Sequence, residues 1–145
     1  MLVSQILTAK GDLVISVAKS APVFAVAKTL ADERIGALVV IGADGHLAGV
    51  VSEREVVGAL ARYGVGALNR KVSDILVAAT TIRPQDTVRQ AMTVMTERRA
   101  RHLPVVSDGQ VVGLLSLGDV VKSRLSEKEA ENQVLQDIAR WPHAA

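Results

Sequence analysis

Gly49-Val50-Val51-Ser52-Glu53-Arg54-Glu55 returns as Gly113-Leu114-Leu115-Ser116-Leu117-Gly118-Asp119, 64 positions later (113 − 49). Each copy follows an apolar run and a turn: Ala37-Leu38-Val39-Val40-Ile41 before Asp44-Gly45, and Leu103-Pro104-Val105-Val106 before Asp108-Gly109. Two β-rich runs flanking Asp-Gly predict a hairpin, because these residues tolerate the positive φ such turns require. Working upstream, Val23, Val26, Ala27 and Leu30 keep helical spacing after Pro22. Val88, Ala91, Met92 and Met95 repeat that spacing behind Asp86, a candidate N-cap. Short extended segments, Val14 to Val17 and Ala79 to Ile82, come before each helix. Downstream, helices are predicted over 53–62 and 117–125, the first stopped by Tyr63-Gly64-Val65-Gly66. Ser4-Gln5-Ile6-Leu7 is echoed by Ser73-Asp74-Ile75-Leu76 ahead of the second unit. The pattern is strand–helix–strand–strand–helix, twice. A solenoid needs three or more units to bury a core, so two copies predict paired half-domains with a ligand cleft between them.

Composition narrows the chemistry. The chain has 145 residues, 49% of them hydrophobic but only 2% aromatic, so the core is aliphatic and stacking platforms for bases are scarce. Seventeen basic residues against 15 acidic ones leave a net charge of +2, a weak argument for nucleic acid. The lack of cysteine rules out disulfides and thiolate nucleophiles. The first residues carry no basic leader, and no run nears the ~18 apolar residues of a membrane span, so a cytoplasmic location is expected. Catalysis finds little support: a serine nucleophile needs a base and an orienting partner, and both motif serines lie at predicted helix caps. The three histidines show no metal-ligand spacing. His46 falls in a turn and His143 in the tail, and neither is assigned a role.

The doubled Gly-h-h-Ser-x-x-acid motif (h apolar) and the Asp-Gly turns resemble a tandem pair of CBS domains, also called a Bateman module. Arg101-His102-Leu103-Pro104-Val105 and the Lys10-Gly11-Asp12 start add to the likeness, and they look like the short stand-alone bacterial members. The resemblance covers residues 1 to about 125. It implies an α+β fold of two β-α-β-β-α repeats related by a pseudo-two-fold axis, with repeats at 1–66 and 67–125, and the polar, charged stretch beyond, 126–145, reads as a helical tail. It further implies a non-enzymatic sensor that binds AMP, ADP, ATP, NAD(H) or S-adenosylmethionine between the halves. Such modules pair into a homodimer and regulate a separate partner protein.

Site residues follow from chemistry and resemblance together. A helix N-terminus has unpaired N–H groups and favours phosphate, and an ionised carboxylate accepts from both ribose hydroxyls. By resemblance, Asp119 holds the ribose with Ser116 beside it, Thr81 and Ile82 line the base pocket, and Pro104 walls it. The matching first-half positions are Ser16, Val17, Val39, Ser52 and Glu55. Arg54, Arg101 and His102 are the candidate phosphate contacts, since Arg presents a planar fork of donors, and Lys10 is a further candidate. The competing account of Ser52-Glu53-Arg54-Glu55 is a capping box, in which Ser and Glu satisfy each other's backbone donors. Two other functions stay open: a nucleic-acid binder using Arg98 to His102, and a purely structural dimerisation module. The tail places Val134, Leu135, Ile138 and Trp141 in a partial apolar stripe, suited to its own module, a second copy or a foreign partner.

Overall fold

The computed structural model describes residues 1–11 and 13–141, so Asp12 and His143 lie outside the described residues. Helix α1 (Val3–Lys10) opens the chain. The first repeat is β1 (Ser16–Ala18), α2 (Val23–Glu33), β2 (Ala37–Ile41), β3 (Leu47–Ser52) and α3 (Glu53–Tyr63). The second is α4 (Val88–Arg98), β4 (His102–Ser107), β5 (Gln110–Ser116) and α5 (Leu117–Ala139). Short 3₁₀ turns over Gly64–Asn69 and Val72–Asp74 join them. The sheets are β1-β2-β3, with β1 parallel to β2, and the antiparallel pair β4-β5. This is the α+β architecture of two β-α-β-β-α repeats.

Both hairpins form where Asp-Gly predicted them. Asp108 and Gly109 take φ of 50° and 77°, and Ser107 pairs directly with Gln110. This two-residue turn with positive φ at both positions matches strand twist. The expected strand at 79–82 shrinks to a single parallel bridge, Ile82 to Val105. The Asp86 carboxylate accepts from the Arg83 N–H at 2.8 Å, and the resulting turn ends the ladder. Asp86 is therefore not the N-cap of α4. That place belongs to Thr87, whose hydroxyl accepts from Gln90 N at 3.0 Å. The helix expected over 117–125 runs on to Ala139, because the polar tail supplies Glu, Lys, Ala and Gln, which are good helix formers, and no breaker.

The halves exchange their leading segments. Val3 and Ile6 of α1 are buried with Ile82, Val88, Ala91, Met95, Leu103 and Leu115, the core of the second repeat. Val72 is buried with Val23, Val26, Leu30, Leu38 and Val51 of the first, and Ile75 and Leu76 pack against that cluster. The hydrogen bonds repeat the pattern: Val23 N donates to Arg70 O and Val88 N to Met1 O, at 2.8 and 2.9 Å. The isolated bridges Pro22–Lys71 and Thr87–Leu2 are likewise equivalent. The echo of Ser4–Leu7 in Ser73–Leu76 is thus a pair of swapped arms about a pseudo-two-fold axis.

The same exchange accounts for the glycine that opens each motif. A Cβ on Gly49 would lie 2.5 Å from Val77 O and 2.8 Å from Leu76 Cδ1, and one on Gly113 would lie 2.6 Å from Leu7 Cδ2. Gly49 and Gly113 keep open the space that the arm leucines Leu76 and Leu7 fill. Close approach, not backbone freedom, requires glycine at both places.

Candidate functional site

Each motif ends a strand and starts a helix, so its serine and carboxylate sit at a helix N-terminus facing the interdomain groove. Ser116 caps α5: its Oγ accepts from Asp119 N at 3.0 Å, and Asp119 Oδ2 accepts from Ser116 N at 2.9 Å. In the first repeat Glu55 Oε1 accepts from Ser52 N at 2.9 Å and from Ser52 Oγ at 2.8 Å. Capping therefore operates in both motifs, and it uses one oxygen of each carboxylate. Among the described residues, Glu55 Oε2 and Asp119 Oδ1 have no hydrogen-bond partner within the protein, so each stays available to a ligand hydroxyl.

Two clefts flank the axis. One, of about 340 Å³, is bounded by Ser116 and Asp119, the segment Lys10–Ile15 (Asp12 apart) and the segment Arg34–Ala37. The other, of about 720 Å³, is bounded by Ser52–Glu55, Val77–Thr80 and Arg98–His102. Gly36 and His102 border both, forming a shared wall. The last residues of α2 and α4 bring arginines to these clefts through left-handed turns, with φ of 54° at Arg34 and 51° at Arg99. A non-glycine residue there carries about 1–2 kcal/mol of strain.

Lys10 does not stand free. Its Nζ donates to Asp119 Oδ2 at 2.7 Å and to Leu114 O at 2.8 Å, tying the end of α1 to the second motif. Burial pushes the Asp119 carboxyl up, but the Lys10 ammonium and the Ser116 N–H and hydroxyl outweigh it and hold the group below its ordinary value. His102 lies between the motifs. Burial pushes its imidazole below the ordinary 6.5; Glu55 and Asp119 oppose this, while Lys10 and Arg101 add to it. The ring is therefore neutral at pH 7 and offers both a donor and an acceptor nitrogen.

The sequence-predicted residues divide into three groups. Ser116, Asp119, Lys10 and His102 border the smaller cleft, and Ser52, Arg54, Glu55, Arg101 and His102 border the larger one. Arg101, His102 and Ser116 also border an open groove of about 750 Å³ along α5. Val39 and Pro104 are buried within β2 and β4, and Ile82 is 4% exposed in the second core. Thr81 and Ile82 border a separate hollow beside α4, while Ser16 and Val17 pair with Val39 and Val40 in the first sheet. The segments that do face the clefts lie slightly upstream, at Val14–Ile15 and Val77–Thr80. Among the described residues, no backbone hydrogen bond ties Ala78, Ala79 or Thr80. Their N–H and C=O groups are open to a planar polar ligand edge, and the small side chains leave that backbone accessible. The run Val77-Ala78-Ala79-Thr80 carried this signal: it is too small and too mixed to make a core strand.

Comparison with known proteins places these features in context. The family model described as CBS domain matches residues 11–62 and 72–126. Among curated proteins, the chain is 35% identical over 118 residues to the mitochondrial CBS domain-containing protein CBSX3 of Arabidopsis thaliana. That match covers 78% of this chain, which spans 57% of the plant protein's length. Among solved structures, a CBS-domain containing protein of Agrobacterium tumefaciens superposes with a TM-score of 0.80 at 37% identity, covering 85% of this chain and 92% of that one. A CBS domain protein from Pyrobaculum aerophilum, complexed with AMP, superposes with a TM-score of 0.75 at 30% identity, covering 82% and 89%.

Proposed function

The chain belongs to the CBS-domain family as a tandem pair, and from that premise we propose that it is a non-enzymatic sensor of adenine nucleotides. The observation that carries this reading is the pairing, in each cleft, of a carboxylate at a helix N-terminus, one oxygen of which has no partner among the described residues, with a segment lying outside regular strands, Leu13–Ile15 or Ala78–Thr80. Glu55 borders the larger cleft together with Val77–Thr80, and Asp119 borders the smaller one together with Lys10, Gly11 and Leu13–Ile15. The carboxylate suits ribose hydroxyls, the open backbone suits the polar edge of a purine, and the arginines with the helix dipole suit phosphate. The related protein with AMP bound supports an adenosyl ligand.

In this account the module acts on a separate protein. Such control requires a ligand that binds two states of the module unequally. It works as a homodimer in the cytoplasm. Val57 and Leu60 on α3 and Val121 and Leu125 on α5 are apolar and exposed, a face suited to a second copy. Among the described residues no helix is long and apolar enough to cross a membrane.

Thermal unfolding of the native chain and Asp119→Ala against AMP, ADP, ATP, NAD⁺ and S-adenosylmethionine tests the proposal. A ligand at about 100 times its Kd adds about 2.7 kcal/mol. A shift with at least one ligand, reduced in the variant, is expected. No shift with any of the five would leave a structural dimerisation module as the function.

A further inference from the structure

Resting on the nucleotide function proposed above, we infer that the two clefts are unequal, and that the Glu55 cleft takes a nucleoside carrying two or more linked phosphates. The smaller Asp119 cleft is left to ligands with one phosphate or none. Duplication provides an internal control for this argument, because pseudo-equivalent positions can be compared within one chain. Glu33, Arg34, Gly36 and Ala37 correspond to Arg98, Arg99, Arg101 and His102, 65 positions on (98 − 33). The formal charge of that segment changes from zero (Glu33 against Arg34) to +3 (Arg98, Arg99 and Arg101). In the motif helices Arg54 stands where the second copy has Gly118, and Glu53 where it has Leu117, each 64 positions on (118 − 54). The first motif thus adds a forked donor with no change of net charge, and the charge contrast rests on the Arg98–Arg101 segment.

Geometry reinforces the charge. The four arginines border the cleft of about 720 Å³, all four are exposed, and among the described residues none forms an ion pair. Their donors are free to meet several phosphate oxygens at once, in the forked geometry arginine provides. The Asp119 cleft, about 340 Å³, holds a lysine whose ammonium is already bound to Asp119 and Leu114 O, with Arg34 beside it. A diphosphate brought there would find one unengaged cation where the other cleft offers four. The exposed arginines are screened by salt, so binding in the larger cleft also carries a steeper salt dependence than in the smaller one, where Arg34 is the one unengaged cation.

Calorimetry of the full chain with AMP, ADP, ATP and NAD⁺ at low and high salt tests the inference. The comparison variant, Arg98→Glu with Arg101→Gly, copies Glu33 and Gly36 of the first repeat. Native protein is expected to bind ADP or ATP about tenfold or more tighter than AMP, the scale of one charge-assisted hydrogen bond. In the double variant the ratio should fall to within about threefold while AMP still binds. NAD⁺ matching ADP assigns an internal pyrophosphate as the recognised group, and NAD⁺ as weak as AMP assigns a terminal phosphate chain. Equal affinities for AMP and ATP in the native chain would overturn the inference. So would a preference that survives the double variant or disappears with Asp119→Ala instead. Should no nucleotide bind, the proposed function fails separately, and inorganic tripolyphosphate still reads the cleft: heat lost in the double variant supports the inference, and no heat contradicts it. Circular dichroism of the double variant, with Arg101→Gln as a milder substitution, guards against misfolding.

Discussion

The carboxylates of Glu55 and Asp119 each use one oxygen to cap their own helix, and the other has no hydrogen-bond partner among the described residues. Replacing Asp119 therefore has two separable effects. Asp119→Ala removes a cap partner and the Lys10 contact, and should cost about 1 kcal/mol of stability in chemical denaturation without ligand. Asp119→Asn keeps an acceptor for Ser116 N and should cost less, yet still weaken ribose binding. The pH dependence follows from the same contacts. Asp119 has a depressed folded-state pKa, so its contribution to stability is complete above the unfolded value near 3.9 and is lost as pH falls through the folded value. His102 is a base whose folded pKa is also depressed, so the unfolded chain binds protons first. Stability then declines as pH drops below 6.5 until the folded ring also protonates. Thermal midpoints across that window should fall for the native chain and flatten in His102→Gln; identical slopes would contradict the assignment. The sequence showed both carboxylates and the histidine, but not that Lys10 reaches Asp119 from 109 positions away, because that contact depends on which repeat α1 packs against.

At the scale of the element, the glycines opening the motifs make opposite predictions of size. A methyl on Gly49 meets the carbonyl of Val77, which is fixed by two backbone hydrogen bonds to Val50. A methyl on Gly113 meets only the end of the Leu7 side chain, which can rotate. Gly49→Ala should cost about 3 kcal/mol and Gly113→Ala about 1 kcal/mol, measured by urea unfolding. The left-handed arginines predict a gain instead. Arg34→Gly relieves the strain at φ 54° and should raise stability by up to about 1 kcal/mol, at the expense of a cleft cation. Periodicity and turn chemistry made these elements legible: the Asp-Gly hairpins, the Val23–Leu30 and Val88–Met95 faces, and the stop at Gly64. The helix ends at Arg34 and Arg99 carried no glycine signal. The shrinking of the strand at Ile82 depended on a side chain, Asp86, that composition alone places at a cap.

For the molecule as a whole, the exchanged arms mean that each core contains residues from both ends of the duplication. Removing residues 1–10 takes Val3 and Ile6, 0% and 8% exposed, out of the second core while leaving the first core's own residues in place. Hydrogen exchange of such a truncation should show β4 and β5 losing protection while β2 and β3 keep more of theirs. The tail behaves differently. Val134, Leu135, Ile138 and Trp141 are 56–73% exposed and belong to neither core, so ending the chain near residue 130 should leave the midpoint of a dilute sample within a few degrees. The exchange was half visible in the echo of Ser4–Leu7 by Ser73–Leu76, but which arm serves which repeat depends on the three-dimensional path. The central claim is that an adenine nucleotide sits between a capping carboxylate and an extended arm. Amide chemical-shift mapping of the labelled chain titrated with AMP or ATP tests it most directly. Perturbations gathered at Ser52–Glu55, Val77–Thr80 and Ser116–Asp119 are the predicted result; shifts confined to the tail of α5, or none at saturating nucleotide, would contradict it.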